Sequence, residues 1–163
     1  MIRFLTALAV QNGRTVKQAD CKFAFIQASL PSDEHTIVRP PVGCPFSKYG
    51  QYWQLKKSLY GLKRAPRHWY NKLCAVLESP EIGLQPCPHD PCLFHGTLIP
   101  GKTPIYVAIY VDDNIFFSKD DKVEQFFKTA LSQKIQVEFL GDAEWYIGIK
   151  FDWHHLPDGT VTC

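Results

Sequence analysis

Asp112 and Asp113 stand side by side between two apolar runs, residues 105–111 and 115–118. Adjacent carboxylates repel each other unless solvent or a cation relieves the repulsion. Two readings follow from these residues alone. One is a solvated Asp-Asp-Asn turn, because Asp and Asn adopt turn dihedrals for purely local reasons. The other is part of a hard-oxygen site for a divalent metal. Magnesium is commonly held by one or two carboxylates together with substrate phosphates. Two such ions, about 3.5–4 Å apart, clamp the attacking and leaving oxygens of a phosphoryl transfer. A third carboxylate would have to come from elsewhere, and Asp20, at the end of an expected strand, supplies it if that strand neighbours the pair.

The basic residues point to a partner for such chemistry. From His35 to Leu77 there is no acidic residue, while Arg39, Lys48, Lys56, Lys57, Lys63, Arg64, Arg67 and Lys72 give the stretch a charge of +8. Tyr49, Tyr52, Trp53, Tyr60, Trp69 and Tyr70 are interleaved with them. Such a surface neutralises phosphates and stacks bases or sugars, or else it is a solvated face with half its aromatics in the core. The acids gather later, as Asp112, Asp113, Asp120, Asp121, Glu124, Glu138, Asp142 and Glu144.

The elements that must position these groups read as follows. Residues 2–11 form a short helix stopped by Asn12-Gly13. Residues 15–20 are a strand, and 22–28 are either a helical turn or its continuation. Residues 36–39 and 52–55 are short strands. Pro66 opens an amphipathic helix over 67–78, with Trp69, Tyr70, Leu73, Cys74 and Leu77 on its apolar face. Pro80, Pro86, Pro88 and Pro91 make the following stretch a loop. Residues 105–111 and 115–118 form a hairpin with Asp112-Asp113-Asn114 at its tip. Asp121 and Glu124 open a second helix whose buried stripe is Val123, Phe126, Phe127, Ala130 and Leu131. Residues 145–153 and 160–163 flank Pro157-Asp158-Gly159 as an incomplete hairpin. The mixture is α+β, in one domain spanning 1–163.

Composition narrows the class further. The chain has 163 residues, 45% of them apolar and 21% charged, with a net charge of +2. A single domain of this size builds a core without staples. No run approaches the ~20 apolar residues of a membrane span, and no signal peptide is read at the start. The six cysteines are therefore read as reduced thiols in a cytosolic or nuclear compartment.

Tyr110-Val111-Asp112-Asp113 resembles the signature box of reverse transcriptases. The stretch Lys56-Lys57-Ser58-Leu59-Tyr60-Gly61-Leu62-Lys63-Arg64-Ala65-Pro66-Arg67-His68-Trp69-Tyr70 is similar to the most characteristic segment of the copia-type retrotransposon enzymes. Gln18-Ala19-Asp20-Cys21-Lys22-Phe23-Ala24-Phe25 resembles the strand bearing that family's first catalytic aspartate. Leu140-Gly141-Asp142-Ala143-Glu144-Trp145-Tyr146-Ile147-Gly148-Ile149 resembles the segment past its palm hairpin.

The resemblance implies RNA-directed DNA synthesis on a palm-like antiparallel sheet with helices on one face, partial fingers and no complete thumb. In such a site Asp20, Asp112 and Asp113 would hold two magnesium ions, with manganese as the alternative. Phe25 would exclude a 2′ hydroxyl, and Tyr60, Gly61 and Lys63 would line the nucleotide. Arg64 falls in the same segment as a nucleic-acid contact. Arg67 and Lys72 would meet backbone phosphate or simply face solvent. The implied partners are a primer-template and deoxynucleoside triphosphates, with no membrane, in the cytoplasm, nucleus or virus-like particles. Only about twenty residues precede Asp20 and the chain stops near the palm, so a truncated and catalytically inactive remnant, still binding nucleic acid or serving structurally, is the alternative. Asn114 and Gln27-Ala28 depart from the residues commoner in the family. Cys87, His89, Cys92 and His95 are zinc-ligand types, but Asp90 to Phe94 resemble an ordinary packing stretch of the same family, so zinc is not expected. His154-His155 reads as a surface pair.

Overall fold

The two apolar runs within residues 105–118 form the centre of the structure, a computed structural model that describes residues 1–46, 48 and 50–163. Tyr49, one of the interleaved aromatics, lies outside the described residues. β6 (Ile105–Tyr110) and β7 (Asp113–Ser118) pair from Ile105↔Ser118 to Tyr110↔Asp113. The turn between them is therefore Val111-Asp112, and the expected Asp112-Asp113-Asn114 tip is corrected. Val111 adopts φ 55°, a left-handed conformation that a β-branched residue seldom enters, and this frees Asp113 and Asn114 to extend β7.

Before the hairpin come α1 (Ile2–Gln11), β1 (Lys17–Cys21), the single-turn α2 (Ala24–Gln27), β2 (Ile37–Val38), β3 (Trp53–Gln54), α3 (Ala65–Leu77), β4 (Gln85–Cys87) and β5 (Asp90–Gly96). After it come α4 (Asp121–Ser132), β8 (Val137–Asp142), β9 (Trp145–Tyr146), β10 (Ile149–Lys150), β11 (His154–His155) and β12 (Val161–Thr162). Six strands form one antiparallel sheet in the order β4-β5-β6-β7-β1-β8. The loop expected over 80–91 is thus corrected in part to two strands. Pro86 is tolerated because β4 is an edge strand, and Pro91 precedes the first β5 residue paired with β6, Leu93.

Both faces of the sheet are apolar, because β7 alternates Phe116 to one side and Ile115 and Phe117 to the other. α3 and α4 cover the Phe116 face through Trp69, Leu73, Leu77, Val123, Phe127 and Leu131. α1 covers the opposite face through Leu5 and Ala9, together with Tyr146 and Phe151. Helices on one face only is therefore corrected: the sheet is covered on both. Phe116 sits 5.3 Å from Phe127 and 6.0 Å from Phe139, ring centre to ring centre. Phe126 is 40% exposed, outside the buried stripe assigned to it. The α4 cap is Asp120, which accepts from the Lys122 N–H at 2.9 Å, while the Glu124 carboxylate turns back to the Ser118 N–H.

The expected terminal strand over 145–153 divides into the hairpin β9–β10, and β11 pairs with β12 around the Pro157-Asp158-Gly159 turn. Cys21, Cys74, Cys87, Cys92 and Cys163 carry thiols outside any disulfide. Among the described residues no helix is long and apolar enough to cross a membrane.

Candidate active site

β1 lies between β7 and β8, and its register brings distant acids together. Asp20 is the direct partner of Asp113 on β7 and of Glu138 on β8. Directly paired residues project from the same face of a sheet, so Glu138, Asp20 and Asp113 form a row across three strands. The neighbours fix which face. Ala19, Cys21, Phe116 and Val107 turn toward α3 and α4, so the acidic row turns the other way, onto the face that α1 and Tyr146 cover farther along. Asp112 follows at the turn beside the row.

The turn is held from three directions. The Trp69 indole N–H donates to the Val111 carbonyl at 2.5 Å. The Cys21 backbone N–H donates to the Asp112 carbonyl at 2.8 Å, and the Asn114 amide donates to the same oxygen at 3.2 Å. Left-handed backbone at a non-glycine residue persists where its surroundings over-determine it, and these three donors do so at Val111. Asn114, buried, also reaches the Cys21 sulfur at 3.1 Å.

Burial, then the charges of Asp112 and Asp20, push the Asp113 carboxyl above the usual range, against a hydrogen bond from Gln18. Burial likewise pushes the Cys21 thiol up to about 12, so it is a packed thiol and no nucleophile. The countercharge is Lys22, whose Nζ lies 2.7 Å from Asp20 and 2.7 Å from Glu138. These carboxylates hold its ammonium above the ordinary lysine range. Tyr146, raised first by burial and next by Asp113, donates its hydroxyl to the Ala108 carbonyl at 3.5 Å.

Among the described residues no group of three or more His, Cys, Asp or Glu side chains is gathered tightly enough to grip a metal as it stands. The donors nevertheless suit a hard divalent cation in type and charge: oxygen ligands only, with the Asp113 carboxyl pushed up by burial and then by its neighbours' charge. Cys87 and His95 lie on the β4–β5 hairpin, Cys87 opposite Asp90 and His95 opposite Gln85.

The residues expected at the nucleotide form a second cluster. Phe25, half-buried on α2, meets the Tyr60 ring with centres 4.6 Å apart. Gly61 takes φ +92° with open space where a Cβ would stand, so the backbone conformation rather than crowding asks for glycine. Lys63 and Arg67 are exposed. Arg64 lies 3.6 Å from Glu34, which also contacts His68 at 3.2 Å. Lys72 is turned inward: its Nζ donates to the Gln27 carbonyl at 2.7 Å, and burial, then Lys57, lowers its pKa. Gln27 in turn bonds the Lys22 and Gln136 carbonyls and the Gln136 N–H, tying α2 to the start of β8.

Glu138, Lys22, Gln18 and the Trp69 N–H escape sequence reasoning as members of the site. Lys22 is adjacent to Asp20 in sequence and so could have been found. Glu138 depends on strand register, and nothing local announces it.

The family profile described as reverse transcriptase (RNA-dependent DNA polymerase) matches residues 1–155. The chain is 32% identical over 149 residues to the retrovirus-related Pol polyprotein from transposon RE2 of Arabidopsis thaliana, covering 91% of this chain and 10% of that protein. It is 33% identical over 150 residues to the corresponding polyprotein from transposon TNT 1-94 of Nicotiana tabacum, covering 91% and 11%. With the transposon Ty1-DR1 Gag-Pol polyprotein of Saccharomyces cerevisiae it shares 27% over 146 residues, covering 90% and 8%. The chain thus spans about a tenth of the length of these polyproteins. No solved structure matches it.

Proposed function

The chain belongs to the reverse transcriptase (RNA-dependent DNA polymerase) family, as a copia-type region of retrotransposon Pol polyproteins, and on that premise we propose that its acidic row is the centre of a templated nucleotidyl transfer. The observation that carries the proposal is the pairing of Asp20 with Asp113, with Asp112 at the adjoining turn. Asp20, Asp112 and Asp113 would hold two magnesium ions, or manganese, which supply Lewis-acid activation of a primer 3′ hydroxyl and neutralise the charge of an incoming triphosphate. The chain's own contributions are positional. Trp69, Asn114 and the Cys21 N–H fix the turn that carries Asp112. Phe25, five residues beyond Asp20, and Tyr60 supply an aromatic wall. Lys63, Arg64 and Arg67 offer charge to phosphates of a primer-template.

The test is primer extension on an RNA template with magnesium and deoxynucleotides. The chain is expected to extend the primer, and the Asp112→Asn, Asp113→Asn double variant to lose extension. A second reading, nucleic-acid binding without synthesis, is favoured by one observation: Lys22 rather than a gathered cage faces Asp20. Binding to primer-template with no extension by either protein would establish that reading and end the first.

A further inference from the structure

Lys22 is fixed at its backbone and exposed along its side chain. Its N–H donates to the Gln136 carbonyl at 3.0 Å, and its own carbonyl accepts from the Gln27 amide at 2.7 Å. Its side chain is 47% exposed and its ammonium stands at the same 2.7 Å from two acids on neighbouring strands. One of them, Asp20, is the middle member of the row. The other, Glu138, lies at its outer end, on the sheet's edge strand and away from Asp113. An ion pair this exposed shifts an equilibrium by a factor of about five at most, so a divalent cation can displace it. When that happens, the ammonium already has a second acceptor and is not left unpaired.

We propose that Lys22 is an internal counter-ion shared by Asp20 and Glu138, and that a divalent cation entering at Asp20 displaces its ammonium onto Glu138. The inference rests on the reading of Asp20, Asp112 and Asp113 as a metal centre. It adds two positioning residues: Lys22 holds the row together while no metal is bound, and Glu138 receives the lysine when metal arrives. Lys22 thereby sets the metal concentration at which the centre fills.

Binding of Mn2+, followed by the electron paramagnetic resonance signal of the free ion, tests the exchange on the full chain. Lys22→Gln is expected to tighten Mn2+ binding by up to about fivefold, because the competing cation is gone. Glu138→Gln is expected to weaken it by a similar factor, because Lys22 then has only Asp20. Lys22→Arg should keep affinity near that of the unaltered chain. A general charge effect would move the single variants in the same directions, so the double variant decides. If Glu138 acts through Lys22, Glu138→Gln has little effect once Lys22→Gln is present. Independent, multiplying effects, or no tightening in Lys22→Gln, would overturn the exchange. Loss of Mn2+ by Asp113→Asn with unchanged affinity in Lys22→Gln would remove this inference and leave the metal centre standing. Unaltered binding by Asp113→Asn, or no binding by any variant, would remove both.

Discussion

Asp113 is where burial and charge work against the fold most directly. Its carboxyl is pushed up by burial and by Asp112 and Asp20, so the folded state disfavours its charged form. A folded-state pKa above the unfolded one contributes stability that is present at low pH and lost as pH rises through the raised value. The neutral isostere Asp113→Asn should keep that stability at neutral pH. Its melting temperature is therefore expected above that of the unaltered chain at pH 7, with the gap closing as the pH falls below the carboxylate range. Each kcal/mol relieved appears as about 2–4 °C in a chain of this size. A lower melting temperature at pH 7 would show that Asp113 is stabilised where it sits. The residues of this centre were unequally legible. Asp20, Asp112 and Asp113 announce themselves by type and by neighbouring apolar runs, whereas Glu138 joins them only through the β1–β8 register. Gln18 reads as an ordinary strand residue until its place two residues from Asp20, the partner of Asp113 on β1, is known.

At the scale of elements, α3 and the β6–β7 hairpin depend on one another. Trp69 is fully buried among Leu73, Leu77 and the sheet, and its N–H is the partner of a carbonyl in a left-handed turn. Trp69→Phe keeps much of the ring packing and removes the donor, leaving the Val111 carbonyl orphaned. The expected loss in urea denaturation is about 1–3 kcal/mol, plus a smaller contribution from the vacated ring volume. An unchanged midpoint would mean that water replaces the indole at that carbonyl. The hairpin itself was legible from two apolar runs separated by Asp112-Asp113-Asn114, but its turn fell one residue earlier than Asp and Asn propensities suggested, because tertiary hydrogen bonds override the local reluctance of valine. Prolines concealed β4 and the start of β5, since an edge position makes them harmless without leaving any mark in the sequence. The sidedness of the helices was also hidden: α1, α3 and α4 are each amphipathic, and amphipathicity does not say which face of a sheet a helix will cover.

For the whole molecule, the question is which charges of the +8 stretch remain available to a polyanion. Lys63 and Arg67 are exposed, Arg64 leans on Glu34, and Lys72 is committed to the Gln27 carbonyl. Binding to a primer-template should weaken linearly in log–log form with salt, with a slope near −0.9 per phosphate neutralised on duplex. Lys63→Ala and Arg67→Ala are each expected to reduce that slope by about one. Lys72→Ala should leave the slope unchanged and instead lower thermal stability by loosening α2 from α3. Equal slope changes for all three would mean that Lys72 leaves Gln27 to meet phosphate. A charge count along the sequence cannot make this distinction, because it treats a lysine capping a carbonyl as equal to one in water.

The central placement of β1 bears on how the chain reaches this structure. Asp20 is synthesised early, and its partners Asp113 and Glu138 come from the far half of the chain. No local segment contains the row; it exists only once β1 inserts between β7 and β8. Such pairing at long sequence separation closes late and limits the rate of folding. The repulsion among the carboxylates is therefore met in that closing step and not spread along the pathway, so the groups proposed for chemistry act as a brake on the sheet's completion, with Lys22, paired to Asp20 and Glu138, at hand to ease it.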